Sequence, residues 1–200
     1  MITVFGATGT TGAPLVDTLL AQGASVRAVT SAPSKLDALR AKGCEAVAAD
    51  FTDPAALARA CDGAEKIYLV TPAHLDMRQW KANVIEAALT ESGEVVDAAA
   101  IAAPDDIKGV AVVCVCVAAQ GVTPDAELVE RLKDRVGEIV SKPFRPREIH
   151  FVEALPKTRS MKTMRRVVRA AFLGEDPGDL SSISNPETIQ PIADLQKEKS

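Results

Sequence analysis

"DDIKGVAVVCVCVAAQG", residues 105–121, decides how this 200-residue chain is built. The apolar run 110–119 has two readings. It is an inner parallel strand of the sheet that the first eighty residues begin, or it is the antiparallel partner of the Val- and Ala-rich run 95–103. Only "PDDIKG" separates the two runs, and their alternation suits antiparallel strands. The pattern of residues 125–174 also fits the second reading. Asp125 opens an amphipathic helix bearing Leu128, Leu132, Val136 and Ile139. "EIHFV", 148–152, is a further strand, "LPKTRS" a loop, and "KTMRRVVRAAFLG" a helix ending at Gly174. The sum is a small α+β domain with its helices against one face of the sheet. From Asp176 the chain is rich in Pro, Ser and charge, which predicts irregular structure with weak order after residue 193.

Working back to the N-terminus, the pattern changes. Residues 2–5 form a short apolar run of the kind that is buried on both faces. A helix carrying Leu15, Val16, Leu19 and Leu20 follows and stops at Gly23. Residues 25–29 are a second strand, "TSAPSK" leads to a helix ending near Gly43, and "EAVAAD" is a third strand. Asp53-Pro54 starts another helix and "KIYLVTP" is a fourth strand. Strands alternating with short helices imply a parallel sheet with right-handed crossovers. The expected order is 3-2-1-4, which leaves the fourth strand with an open edge. Either the apolar segment 95–102 or a second copy of the chain should cover it.

The first strand runs into Gly6-Ala7-Thr8-Gly9-Thr10-Thr11-Gly12. Gly6 lets the chain turn sharply, Gly9 lets the backbone approach a diphosphate, and Gly12 permits close helix–sheet packing. The helix N-terminus then offers unpaired N–H groups and partial positive charge to phosphates. Three glycines also make ordinary tight turns; their place between a buried strand and an amphipathic helix is what points to a dinucleotide.

Composition narrows the remaining classes. The chain is 47% hydrophobic and 25% charged with net charge −4, so nothing global favours nucleic acid or an anionic membrane. Six of the thirteen residues 157–169 are Lys or Arg, but no aromatic interleaves them, and a solvated basic face is the simpler reading. No run reaches the roughly 18–20 apolar residues of a membrane span, and the start lacks a basic leader. Cys44, Cys61, Cys114 and Cys116 form neither zinc-like pairs nor a secreted disulfide pattern, which predicts a reduced, cytoplasmic protein. Cys114 and Cys116 share one strand face and read as small core residues. His74 and His150 each stand alone, so no metal site is expected. Trp80 reads as a packing residue.

"GATGTTG", with "VRAVTSAPSK", "AADFTDPAAL" and "IYLVTP", resembles the NmrA-like atypical short-chain dehydrogenase/reductases over residues 1 to about 84. The resemblance implies Gly6, Thr8, Gly9, Thr10, Thr11 and Gly12 around the phosphates, Asp50 and Phe51 near adenine, and Thr71 and Pro72 toward the nicotinamide ribose. No Asp or Glu ends the second strand to hold two ribose hydroxyls. The family's NADP-favouring members place arginine where this chain has Ser31. Lys35 either serves a 2′-phosphate or is a solvated lysine at a helix start, so the choice between NADP and NAD leans to NADP. The family's fifth strand is absent here, as is any Tyr-x-x-x-Lys pair: the single tyrosine is Tyr68, inside the fourth strand.

From about residue 83, "IEAALTESGEVVDAAAIAAPDDIKG" through "LPKTRSMKTMRRVVRAAFLGEDPGDLSSISNPETI" resembles the C-terminal domain of acyl-adenylate-forming enzymes, particularly acetyl-CoA synthetase-like acyl-CoA synthetases. That resemblance implies a lid whose Lys162 neutralises charge as a carboxylate attacks the α-phosphate of ATP. A glycine usually precedes this lysine; Met161 stands there instead, and the acetyl-CoA synthetase-like members tolerate a larger residue. The large adenylation domain that such a lid closes over is absent upstream, so ATP and CoA enter only if one is supplied in trans.

The expected organisation is therefore a truncated Rossmann-type half-domain over 1–84, a lid-like domain over 85–193 and a flexible tail over 194–200, with the junction within 80–90. Three functions are compatible with it: a nicotinamide-dinucleotide-binding redox sensor or reduced oxidoreductase, a ligase component that needs a partner, or an inactive fusion. Whether the chain is an enzyme stays open.

Overall fold

The computed structural model describes residues 1–71, 77–107 and 109–196. It divides into two compact units, Met1–Glu91 with Arg135–Arg145, and Ser92–Asp134 with Pro146–Ser200.

The first unit opens with β1 (Ile2–Phe5), α1 (Gly12–Ala21), β2 (Val26–Thr30), α2 (Leu36–Ala41), β3 (Glu45–Ala48), α3 (Pro54–Cys61), β4 (Lys66–Leu69) and α4 (Met77–Thr90). The strands form one parallel sheet in the order β3-β2-β1-β4, as the alternation of strand and helix predicts. Successive side chains of β1 point to opposite faces. Val4 joins Ala7, Val16, Val26, Ala28 and Leu39 in an aliphatic core toward α1 and α2. On the other face the Thr3 hydroxyl donates to the Ala60 carbonyl (3.3 Å), and Arg27 Nη1 donates to the same carbonyl (3.1 Å), which fixes α3 over the sheet. Asp53 caps α3 by accepting from the N–H groups of Ala55 (3.0 Å) and Ala56 (3.1 Å), with Pro54 supplying the preset first turn.

The second unit holds β5 (Val95–Asp105), β6 (Gly109–Ala118), most of α5 (Ala126–Ile139), β7 (Glu148–Phe151), α6 (Arg165–Leu173) and α7 (Ile189–Asp194). β5 and β6 pair antiparallel, Ala99 against Val115 and Ile101 against Val113, and β6 pairs parallel with β7. The stretch 105–121 is thus a hairpin arm of a separate sheet. Ala99, Ile101, Val113 and Val115 on one face pack with Val168, Ala171 and Phe172 of α6 and with Ile192 of α7. Cys114 and Cys116 point to the opposite face and are fully buried.

Three expectations need correction. The segment 95–102 pairs with β6 and does not extend the first sheet past β4. The last long helix begins at Arg165 rather than Lys162, because Thr163 bridges back to Lys157 as a hairpin. The chain after Asp176 is not uniformly irregular. Residues 189–194 form α7, held by Ile192 (0% exposed) in the core and Leu195 beside it. Polar flanks hid these few apolar anchors. Residues 197–200 lie outside the described residues.

Candidate functional site

In the first unit, the C-terminal ends of the parallel strands open onto a cleft of about 510 Å³. Ligands in open α/β sheets bind at this end. The lining includes Gly6, Thr8, Gly9, Thr10, Thr11, Ser31, Lys35, Asp50, Phe51 and Thr71. The residues singled out in four separate stretches of sequence are thereby brought to one place. Pro72 lies outside the described residues. Gly12 is buried beneath the turn and does not line the cleft.

The turn's geometry explains its glycines individually. Gly6 has φ +69°, and a Cβ there would meet the Val70 carbonyl oxygen at 2.6 Å. A Cβ on Gly12 would lie 2.1 Å from the Gly6 oxygen, so α1 can approach the turn only without a side chain. At Gly9 the nearest atom to a Cβ is 3.3 Å away. The fold therefore demands Gly6 and Gly12, while at Gly9 a Cβ would be tight but short of a clash, 3.3 Å from the Gly6 oxygen.

α1 begins at Gly12 with no side chain capping its N-terminus and no acid in its first turn. Pro14 has no N–H and the Ala13 N–H donates to the Gly9 carbonyl (3.0 Å), so what the helix start offers an anion is chiefly the positive end of its dipole. The side wall is fixed by hydrogen bonds within the unit. The Ala7 N–H donates to the Val29 carbonyl (3.1 Å), and the Thr8 and Thr30 hydroxyls pair at 3.3 Å. Ser31 and Lys35 are exposed beyond the end of β2, and Lys35 is the cationic side chain of the lining among the described residues.

At the end of β3, Asp50 Oδ1 accepts from the Thr52 hydroxyl (2.6 Å) and N–H (2.7 Å). These bonds hold its carboxyl below the usual carboxylate range, so it is an anion through the neutral region. Phe51 beside it is tied to α4: the Asn83 amide donates to the Phe51 carbonyl, and Gln79 Nε2 donates to Asn83 Oδ1 (3.0 Å). Trp80 of α4 stacks on Phe51, ring centroids 5.4 Å apart and planes 16° apart, and lines the cleft. Trp80, which the sequence reads as a packing residue, is part of the cleft lining, as are Phe5, Val29, Thr30, Ala49 and Val70. Its place one turn before Asn83 became meaningful only once α4 was seen against the end of β3.

Both thiols of this unit, Cys44 and Cys61, are buried. Burial pushes Cys61 up to about 12 and raises Cys44 as well. Among the described residues no three His, Cys, Asp or Glu side chains gather as a metal site, and His74 lies outside them. No described helix is long and apolar enough to cross a membrane.

Lys162 lies in the second unit, on an exposed hairpin. The Met161 N–H donates to the Thr158 carbonyl (2.8 Å), the Thr158 N–H to the Lys162 carbonyl (2.9 Å), and the Lys162 N–H to the Thr158 hydroxyl (3.1 Å). Met161 has φ +62°, the one described non-glycine residue in the left-handed region. This bulged turn is the geometry that favours glycine. Lys157 anchors the hairpin's base through Asp97 and the Thr163 hydroxyl (2.8 Å). Of the other basic residues here, Arg166 donates to the Asp179 carbonyl (2.7 Å), and Arg169 to the Ala102 carbonyl (3.1 Å) and Glu175 (2.5 Å). Much of the basic cluster thus ties segments of the unit together.

Comparison with known proteins divides the chain in the same sense. A family model described as NAD(P)H-binding matches residues 6–96. A second, the AMP-binding enzyme C-terminal domain, matches residues 84–162. The two overlap over residues 84–96, from the last turns of α4 to the start of β5. The chain is 39% identical over 121 residues to the 3-hydroxypropionyl-coenzyme A synthetase of Metallosphaera sedula, covering 58% of this chain and 18% of that protein. It is 39% identical over 108 residues to the acetyl-coenzyme A synthetase of Methanothrix soehngenii, covering 54% and 16%. The chain therefore spans under a fifth of either synthetase. A structure of an NADPH-dependent quinone oxidoreductase from Escherichia coli complexed with NADPH aligns with 46% of this chain and 34% of that one, at 33% identity and TM-score 0.43. The chain carries an NAD(P)H-binding domain in its first half, followed by an AMP-binding enzyme C-terminal domain.

Proposed function

We propose that this protein binds a nicotinamide dinucleotide in the first unit and acts as a redox sensor or a reduced oxidoreductase. The observation that carries the reading is the single cleft that gathers Gly6, Thr8, Gly9, Thr10 and Thr11 with Ser31, Lys35, Asp50, Phe51 and Thr71. In this reading the diphosphate lies against the glycine turn and the N-terminus of α1, where the helix dipole is positive and no acid competes. Gly12 supports that turn from beneath. Asp50 and Phe51 flank the adenine, and Thr71 with Pro72 faces the nicotinamide ribose. NADP is favoured over NAD: no carboxylate ends β2 to hold a ribose diol, and Lys35 is in reach of the cleft to meet a 2′-phosphate. Hydride transfer further needs a group to polarise or protonate the substrate. The sequence has no Tyr-x-x-x-Lys pair, and Tyr68 is on β4 outside the cleft lining. Titration calorimetry with NADPH and NADH tests this: saturable binding with NADPH tighter is expected, and equal or tighter NADH would refute the 2′-phosphate assignment.

A second reading rests on the exposed hairpin that carries Lys162. The region 85–193 acts as an acyl-CoA synthetase lid, with Lys162 as its catalytic lysine, once a separate adenylation domain is supplied together with ATP and CoA. Acyl-CoA formation by the mixture, abolished by Lys162→Ala, is the expected result. Formation that survives the substitution removes this reading. If neither activity is found, the inactive-fusion account stands. A homodimer through the free edge of β4, which pairs only with β1 among the described residues, accompanies the proposal.

A further inference from the structure

Among the described residues, two threonines of the first sheet are buried, Thr3 in β1 and Thr30 at the end of β2. A valine at either position has nearly the same shape and no polar atom to bury. Thr3 gives its hydroxyl proton to the Ala60 carbonyl and so holds α3 on the sheet. Thr30 is 4% exposed and sits where the strand meets the cleft, between the glycine turn and the loop that carries Ser31 and Lys35. Its role follows from what its hydroxyl can give and take.

Thr30 Oγ1 has two partners among the described residues. It accepts from the Ala32 N–H (3.2 Å), which shapes the loop after β2, and it lies 3.3 Å from Thr8 Oγ1. A hydroxyl has one proton to donate and two lone pairs with which to accept. An N–H cannot accept, so the Thr30 proton has one place to go, the Thr8 oxygen. In the reverse direction, with Thr8 donating, the Thr30 proton would be buried without an acceptor, and a buried hydrogen bond left unmade is the costlier arrangement. The relay therefore runs from the Ala32 N–H to Thr30 and from the Thr30 O–H to Thr8.

Two protons cannot share the line between the oxygens, so the Thr8 proton turns away from Thr30. Thr8 is half-buried in the cleft wall, and its hydroxyl has no other partner among the described residues. Backbone bonds fix the frame around the pair. The Ala7 N–H donates to the Val29 carbonyl (3.1 Å) and the Ala49 N–H to the Thr30 carbonyl (3.1 Å), which ties the glycine turn, β2 and the end of β3 together. At 3.3 Å the hydroxyl contact is long for its kind, so it steers Thr8 rather than locking it.

We propose that Thr30 is a positioning residue of the cleft that acts through Thr8: its hydroxyl fixes Thr8 as a donor whose proton faces the diphosphate. The proposal rests on the reading of the cleft as a dinucleotide site and adds to it a residue outside both the glycine turn and the loop after β2. The diphosphate is common to the two dinucleotides. Thr30 therefore sets the affinity for both and leaves the choice between them to Ser31 and Lys35.

A double-mutant cycle, read by titration calorimetry of the whole chain with NADPH and NADH, tests the relay. Thr8→Val is expected to weaken both by about tenfold or more, the loss of a hydrogen bond to a charged group. Thr30→Val is expected to weaken both by about three- to tenfold. Once Thr8 is already valine, the same change should cost less than about twofold. Thr30→Ser keeps the hydroxyl and should bind within about twofold of the unaltered chain. A Thr30→Val loss of the same size with and without the Thr8 hydroxyl overturns the relay. So does a loss confined to NADPH, which would place the effect in the loop of Ser31 and Lys35. Affinities unchanged in Thr8→Val or Thr30→Val, or a serine as weak as the valine, overturn it too. All of these outcomes leave dinucleotide binding intact. No binding by the unaltered chain overturns the dinucleotide reading, and the relay with it. If Thr30→Val does not fold, Thr30→Cys, whose S–H is a weak donor, takes its place in the cycle and is judged by the same outcomes.

Discussion

Gly9 and Gly12 are three residues apart and look equivalent in the sequence, yet the structure gives them different work. Gly12→Ala drives a Cβ to 2.1 Å from the Gly6 oxygen, backbone against backbone, and should destabilise the first unit by about 1–3 kcal/mol in thermal or urea unfolding. Gly9→Ala meets an atom at 3.3 Å and should leave that transition within about 1 kcal/mol while abolishing dinucleotide binding. Equal stability loss in both variants would contradict this division. Met161 is the mirror case: a long side chain held at φ +62°. Left-handed backbone costs an ordinary residue about 1–2 kcal/mol, so Met161→Gly should raise the stability of the second unit by up to about 1 kcal/mol, part of the gain being offset by glycine's freedom in the unfolded chain. Sequence reading could see that methionine replaces the expected glycine; only the backbone angle shows the replacement to be strained.

At the scale of elements, what was legible came from burial. β1 to β4 are short apolar runs between turn residues, and the hairpin β5–β6 arises from two such runs joined by a short polar link. The start of α6 and the existence of α7 were not legible. A hairpin bridge from Thr163 to Lys157 takes the first residues of one, and a single buried Ile192 holds the other. The sequence reads Trp80 as packing only, because periodicity says that α4 is a helix but not which residue of it reaches the end of β3. The C-terminal ends of α3 and α4 carry another tertiary consequence. Burial, together with the neighbouring Asp62 carboxylate, raises the Glu91 carboxyl above its ordinary value, more than Arg135 and Arg27 lower it. A raised carboxyl favours folding while protonated, and that contribution is lost as pH rises through the folded-state value. Glu91→Gln should therefore raise Tm at pH 7 and change it little at pH 4. A Tm that falls at pH 7 would show that the arginines dominate.

At the scale of the molecule, two cores of unrelated design share one chain: a four-stranded parallel sheet with helices on both faces, and a three-stranded mixed sheet under α6 and α7. Two different family models match, one over residues 6–96 and one over 84–162, overlapping between the last turns of α4 and the start of β5. The sequence carried both halves because each keeps a local motif whose chemistry is readable in a few residues, the glycine turn in one and the hairpin around Lys162 in the other. What each half can do is a matter of binding rather than of pattern. The most direct measurement uses the single tryptophan as the donor. Trp80 lines the cleft and the reduced nicotinamide absorbs where indole emits, so titrating the whole chain with NADPH should give saturable energy transfer from Trp80 at micromolar concentration, reversed by excess NADP. An emission that stays unchanged up to millimolar NADPH, with the chain folded, would contradict the assignment of this cleft to a dinucleotide.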